Sequence, residues 1–278
     1  MLLGILFTLP AVISVLICLS AGAFYDLSWL WVLPTGYLGA FIVTGGLIFL
    51  LVLLCQWAVD LDKPQEEDSK FYRFLINRLA EAALPILSVK MHTQGLEKTP
   101  KEGRFLLVCN HLNEMDPVVL LRHFQKGQLA FISKRENQSM FVVGRLMHKI
   151  QCQLMNREND REALKTILKC VQIIKEDKAS IAVFPEGYIK PDKKLHHFRS
   201  GVFKIAQKTK VPIVVCTLQN TQYVFHNGLR LKPTDVHLHL VDVIQPEQYA
   251  DMNTVDISNM VYEMMARDLG PENVSNEE

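Results

Sequence analysis

The chain has 278 residues and carries 30 Lys and Arg against 29 Asp and Glu, a formal net charge of +1, so charge gives no reason to expect a nucleic-acid partner. Its six cysteines are scattered without a C-x-x-C pair, which excludes a zinc ribbon or a disulfide framework and fits a reducing compartment. The near-neutral average hides a division: residues 1–59 contain one charged side chain, Asp26, and every Lys and Arg and all the other acids lie beyond them.

In chain order, residues 2–24 are almost wholly apolar, and a second apolar segment runs over 27–59 with Pro34-Thr35-Gly36 near its start. Each is long enough to span, since about 20 helical residues cross the hydrocarbon core. Positive charge begins only after the second segment, at Lys63, Lys70, Arg73 and Arg78. Cytoplasmic flanks of membrane helices are enriched in Lys and Arg, so this predicts a hairpin that enters and returns, with the remaining chain facing the cytoplasm. Pro10, Pro34 and Gly45-Gly46 equally permit a bent hairpin held in one leaflet. Ala21-Gly22-Ala23 is similar to a signal-peptidase site, but no basic residues precede the first segment, which argues against cleavage.

After a polar break over 60–70 comes an amphipathic stretch, with Phe71, Phe74, Leu75, Leu79, Ala82 and Ala83 at helical spacing and Arg73, Asn77, Arg78 and Glu81 interleaved. Such a helix lies on a bilayer surface or packs on a domain core, and periodicity alone does not choose. From residue 88 apolar runs alternate with helical patterns. Strands are predicted over 89–93, 104–109, 128–133, 151–156, 180–184, 212–218 and 236–244, and helices over 116–124, 139–149, 160–175, 200–208 and 256–269. The helix at 160–175 has the clearest signature: Asn159 as cap, Glu162 three residues on, and Ala163, Leu164, Ile167, Leu168, Val171 and Ile174 on one face. The alternation predicts an α/β domain, a largely parallel sheet covered by helices, preceded by a two-helix membrane anchor. The expected organisation is an anchor over 1–60, an amphipathic interfacial helix or linker over 61–87, a catalytic domain over 88–270 and a polar tail over 271–278 that frays.

The chemistry centres on Asn110-His111-Leu112-Asn113-Glu114-Met115-Asp116-Pro117. His111 stands just past a predicted strand, and Asp116 reads as an N-cap before Pro117 at the first helical position. Residues five apart on one α-helix are separated by about 140°, but across a strand–loop–helix corner they can face each other. A neutral imidazole takes a proton from a hydroxyl, and a carboxylate on its other nitrogen fixes the tautomer and steadies the imidazolium. No serine or cysteine is placed as a covalent nucleophile, so the hydroxyl is assigned to a substrate. Taken singly, Asp116 is equally a helix cap and His111 equally a loop histidine.

Phe184-Pro185-Glu186-Gly187 follows another apolar run, at the strand end where open α/β sheets gather their sites. Glu186 can accept hydrogen bonds and Gly187 lets backbone approach a ligand, although Pro-Glu-Gly is also an ordinary turn. Lys190, Lys193, Lys194 and Arg199 follow in a basic loop, and Arg157 ends the strand predicted over 151–156. Each is a candidate for phosphate, and each alone is also an ordinary surface cation. His196-His197 has no metal-ligand spacing and stays outside the predicted site.

The order Asn110-His111-x4-Asp116-Pro117, Arg157, Phe184-Pro185-Glu186-Gly187, Val211-Pro212-Ile213 resembles the four sequence blocks of the 1-acylglycerol-3-phosphate acyltransferase family of glycerolipid acyltransferases, over roughly residues 88–220. The resemblance implies acyl transfer from acyl-CoA or an acyl-carrier protein to the free hydroxyl of a lysophospholipid, with 1-acylglycerol-3-phosphate the first choice of acceptor and phosphatidic acid the product. It implies that His111 is the base and Asp116 its orienter. Asn110, Arg157, Glu186, Gly187, Lys190 and Arg199 are assigned to substrate, and no metal or cofactor is needed beyond the acyl donor. The expected partners are membrane lipid, the lysophospholipid and the thioester donor. One departure stands out: Tyr188 and Ile189 occupy places where the family usually shows Thr and Arg, with Lys190 one place later. That leaves the acceptor headgroup open to other lysolipids, such as lysophosphatidylglycerol or an acylated amino acid lipid. A reading of a different class is an inactive membrane-anchored lipid-binding protein, against which the intact His111 and Asp116 argue.

Overall fold

The computed structural model describes residues 1–65, 67–156 and 159–275. Arg157 therefore lies outside the described residues. Two apolar helices, α1 (Leu2–Ser20) and α2 (Trp29–Trp57), form an antiparallel hairpin and are long and apolar enough to cross a membrane. Each contains a proline, Pro10 and Pro34. A third helix, α3 (Lys70–Ile86), leads into strand β1 (Val89–Gln94).

The strands that follow are β2 (Leu106–Cys109), β3 (Leu129–Lys134), β4 (Gln153–Met155), β5 (Ser180–Val183), β6 (Ile213–Gln219) and β7 (Thr234–Ile244). The helices between and after them are α4 (Asp116–His123), α5 (Leu146–Lys149), α6 (Asp160–Lys175), α7 (Lys204–Thr209), α8 (Val224–Gly228) and α9 (Thr254–Leu269). Together the strands form one seven-stranded sheet in the order β1-β7-β6-β2-β5-β3-β4. Strands β6, β2, β5, β3 and β4 run parallel, while β7 is antiparallel to β6 and carries β1 parallel to itself. The expected α/β architecture with a largely parallel sheet is the one observed, and the two reversed strands lie together at one edge.

The central strands read as unbroken apolar runs because both sheet faces are covered. All four residues of β2 are buried. Its pleat sends Leu107 and Cys109 to a core beneath α3 and α4, and Leu106 and Val108 to a second core beneath α6, α7 and α9. Val52 of α2 and the following Val59 belong to the first core, so the base of the hairpin is packed against the domain.

Local chemistry sets several boundaries. Asn159 caps α6 by accepting from the N–H groups of Arg161 and Glu162, and Asn253 caps α9 in a reciprocal arrangement with Asp256. The helix predicted over 139–149 is confined to α5. Gly144 is tightly folded back there: a Cβ would stand 2.3 Å from the Gln138 carbonyl oxygen, so the chain turns where a helix would continue. The strand predicted over 151–156 shortens to β4, because Gln151 has a left-handed backbone, φ 65°, that no strand accommodates. Asp116 is the first residue of α4, with Met115 as its cap, and its carboxylate is thereby freed for other partners.

Two polar segments are placed by contacts distant in sequence. Arg73 is buried on α3, where it pairs with Asp68 at 2.6 Å and donates to the carbonyls of Leu129 at the start of β3 and Ile150 at the end of α5. The helix thus packs one face on the core and leaves Phe71 and Phe74 exposed on the other. The tail is bound as far as Ser275: Leu195 donates to the Asn273 carbonyl at 2.8 Å and accepts from the Ser275 N–H at 2.9 Å. A buried leucine offering both its backbone groups holds this segment down.

Candidate active site

In the parallel part of the sheet the C-terminal strand ends point one way, and the turns that leave them converge. The turn after β2 carries His111, the turn after β5 carries Glu186 and Gly187, and the turn after β6 carries Thr221. Such convergence is where α/β sheets build ligand sites.

At its centre His111 Nδ1 lies 2.8 Å from Asp116 Oδ2. Asp116 is fully buried, and the same oxygen accepts from the N–H groups of Leu112 at 2.6 Å and Asn113 at 2.9 Å. Its other oxygen accepts a short hydrogen bond from the Thr221 hydroxyl. A carboxylate can only accept, so the proton of this pair sits on Nδ1 and the lone pair of His111 is on Nε2. The imidazole is stacked on Phe184, centroids 4.1 Å apart and planes within 14°. The ring is therefore fixed in tautomer by Asp116 and in plane by Phe184, while its side chain keeps 15% exposure. This arrangement can take a proton at Nε2 and hold it as a stabilised imidazolium.

Glu186 is buried behind the pair. Its Oε1 accepts from the His111 backbone N–H at 2.8 Å and its Oε2 from the His196 N–H at 3.1 Å. Burial pushes its carboxyl up to about 7 against the pull of those two donors, and the charges of Asp116 and Asp192 add to the rise. Gly187 has φ +88°, a conformation that favours glycine, and a Cβ there would meet Arg199 Nε at 3.1 Å. Arg199 consequently lies against Gly187, and its own N–H donates to the Pro185 carbonyl. Lys190 holds its ammonium 4.5 Å over the Tyr188 ring.

The structure thus brings His111, Asp116, Glu186, Gly187 and Arg199 into one cluster. Asn110 stands beside this cluster, at the end of β2. It is buried, its amide nitrogen donates to the Leu218 carbonyl at 2.9 Å, and its amide oxygen accepts from the Leu218 N–H at 2.7 Å. It clamps the end of β2 to β6. Sequence reasoning missed Thr221, although its position two residues beyond β6 was a usable signal. It also left out His196, which enters through its backbone, a group no side-chain pattern reveals.

Cys109, adjacent to the site, is no nucleophile: it is completely buried, and burial drives its thiol well above the ordinary range. Among the described residues no group of three or more His, Cys, Asp and Glu is placed to hold a metal ion. A cavity of about 710 Å³ lies along the edge strand β4, lined in part by Gln65, His148, Gln151, Thr166 and Lys169. It contains none of the residues around His111, whose proton-transfer geometry, not cavity size, marks the candidate centre.

A family model described as Acyltransferase matches residues 90–219. A probable 1-acyl-sn-glycerol-3-phosphate acyltransferase of Mycoplasma pneumoniae is 30% identical over 194 residues, covering 66% of this chain and 72% of that protein. A 1-acyl-sn-glycerol-3-phosphate acyltransferase of Borreliella burgdorferi is 26% identical over 182 residues, covering 63% of this chain and 71% of its own. Among solved structures, the 1-acyl-sn-glycerophosphate acyltransferase PlsC of Thermotoga maritima superposes with a TM-score of 0.63 over 82% of this chain and 91% of that one. At 23% identity it shows a shared fold.

Proposed function

This chain belongs to the 1-acylglycerol-3-phosphate acyltransferase family and is an O-acyltransferase, and from that premise we propose that it acylates the free hydroxyl of 1-acylglycerol-3-phosphate to give phosphatidic acid, with His111 as general base. The acyl group comes from a thioester of coenzyme A or acyl-carrier protein, which is a co-substrate, and the reaction draws on no further cofactor. The observation that carries the reading is the His111–Asp116 pair, 2.8 Å apart, with Asp116 held by three further donors.

In this reading the acceptor hydroxyl gives its proton to His111 Nε2 as its oxygen attacks the thioester carbonyl carbon. The tetrahedral intermediate collapses, the C–S bond breaks, and the thiolate leaves as the anion or takes the proton back from His111. Asp116 stays ionised throughout and stabilises the imidazolium. Glu186 holds the His111 backbone in place. Arg199, lying against Gly187, is the cation assigned to the acceptor phosphate, with Lys190 and Arg157 as further candidates. The two apolar helices anchor the chain with its catalytic domain facing the cytoplasm, so that acceptor and product stay in the bilayer while reacting.

The test is thiol release by the full-length, detergent-solubilised protein with lysophosphatidate and palmitoyl-CoA. His111→Ala is expected to lower turnover about 10²–10⁴-fold, the usual contribution of a positioned acid–base group, without unfolding the chain. Equal rates in the two proteins would remove His111 from the mechanism. Because Tyr188 and Ile189 stand where the resemblance implies Thr and Arg, the assay includes lysophosphatidylglycerol and an acylated amino acid lipid as acceptors, and acyl-carrier protein as donor carrier. A rate with one of these and none with lysophosphatidate reassigns the acceptor.

A further inference from the structure

The turn that supplies Thr221 continues into a projection whose apolar residues point into solvent. Leu229 and Leu231 are each 87% exposed, and Phe225 is 43% exposed. Arg230 and Lys232 alternate with the two leucines and are exposed as well. The segment is held in shape: Arg230 and Lys232 donate to the Asn227 carbonyl, Leu231 donates to the Gly228 carbonyl, and the Asn227 amide reaches the Thr234 hydroxyl. An ordered turn that displays two leucines to water keeps them out of a core that other elements fill.

Its surroundings extend the same character. Gly228 is pressed on the end of α3, where a Cβ would stand 3.0 Å from Leu87 Cδ2, and neighbouring Ile86 is 60% exposed. That end of α3 is also where α1 begins, since Met1, Leu2 and Leu3 share the walls of a cavity of about 380 Å³ with Pro85 and Val89. The base of the projection, at Gly228, and the start of an apolar helix thus both border the C-terminal end of α3, with Arg78 and Arg122 also lining the cavity there.

We propose that the projection formed by Phe225 and Leu229–Lys232, together with Ile86, is a second membrane-contact surface that docks the catalytic domain on an anionic lipid bilayer. The inference rests on the membrane reading given under the proposed function and names the surface involved. The leucines enter the acyl boundary, and Arg230 and Lys232 reach back to lipid phosphates, as long cationic side chains do at interfaces. A free phosphate ion has the right charge but offers nothing to the leucines, and a water-soluble acidic partner leaves them exposed. Because Thr221 bonds Asp116 at one end of the same turn, docking brings His111 to the depth at which a lysophospholipid presents its hydroxyl.

The experiment uses the full-length chain in nanodiscs of phosphatidylcholine with or without phosphatidylglycerol. A spin label is placed at Leu229→Cys, with Cys55→Ser in the background because Cys55 is the half-buried one of six cysteines and the others are buried. A control label sits at Glu102→Cys, in the exposed turn at the opposite end of the sheet. The Leu229 label is expected to be reached by oxygen and shielded from a water-soluble nickel chelate, more so with phosphatidylglycerol, and to become nickel-accessible in detergent. The Glu102 label stays nickel-accessible throughout. Nickel access at Leu229 equal to that at Glu102 in the bilayer overturns the proposal. So does shielding that persists in detergent and grows with protein concentration, which identifies a second copy of the chain as the occupant.

An activity arm separates this from the proposed reaction. Leu229→Asp combined with Leu231→Asp is expected to slow acylation of a bilayer-borne acceptor about tenfold and to leave a short-chain, monomerically dissolved acceptor unaffected. Equal slowing on both acceptors overturns the docking role. If the unaltered protein acylates neither, the proposed function fails while the label readings still decide the surface.

Discussion

At the scale of the residue, the site is governed by how completely Asp116 is satisfied. Four donors converge on one buried carboxylate, and Thr221 supplies the one that comes from another strand end. Thr221→Val leaves one carboxylate oxygen unpaired in a buried site, an omission worth about 1–3 kcal/mol. The expected result is a kcat roughly tenfold lower with the acceptor KM unchanged, and recovery in Thr221→Ser, which restores the hydroxyl; a serine variant as slow as the valine variant would reduce Thr221 to packing. Glu186 gives a prediction about pH. Its carboxyl is raised from 4.5 to about 7 by burial, so between those values the folded chain keeps a proton that the unfolded chain has released. Stability from this group is thus present below pH 4.5, is lost as pH rises to about 7 and is level above, with a span on the order of 3 kcal/mol. Denaturant unfolding in detergent across that range is expected to show the decline in the natural protein and a flatter profile in Glu186→Gln, which does not titrate. Parallel profiles would mean that Glu186 is already ionised at low pH.

At the scale of the element, the segment read as a loose tail belongs, as far as Ser275, to the framework of the candidate site. Asn273 and Ser275 bracket Leu195 with backbone hydrogen bonds, His196 follows and donates to Glu186, and Glu186 accepts from His111. Four hydrogen bonds thereby link the C-terminal segment to the backbone of His111, the proposed base. Removing residues 272–278 is expected to speed amide exchange at His196 and lower turnover roughly tenfold, since small misplacements of a catalytic group weigh heavily on rate. Unchanged exchange at His196 would show that the loop holds itself. The same scale explains why α3 was ambiguous in sequence. Its apolar stripe fits a bilayer or a core equally well, and the deciding residue is Arg73, whose two carbonyl acceptors, Leu129 of β3 and Ile150 at the end of α5, lie far away in sequence.

At the scale of the whole molecule, a sheet with parallel central strands delivers three strand-end turns to one place, while α2 ties the apolar hairpin to the first core through Val52 and Val59. Much of this was legible beforehand. Buried strands declare themselves as short apolar runs and covered helices by their 3.6-residue period, so the α/β class, the hairpin and the succession of motif blocks follow from composition and spacing within short windows. His111 and Asp116 were legible for the same reason: they are five residues apart, and a strand–loop–helix corner is a local geometry. What only the tertiary structure decided depends on pairs distant in sequence. The strand order, the reversal of β1 and β7, the Thr221–Asp116 bond across 105 residues, the diversion of Asn110 to Leu218 and the burial of Glu186 beneath two backbone donors all arise from packing. A side chain's partners are set by which chain segments close over it, and the sequence around that side chain does not encode their identity.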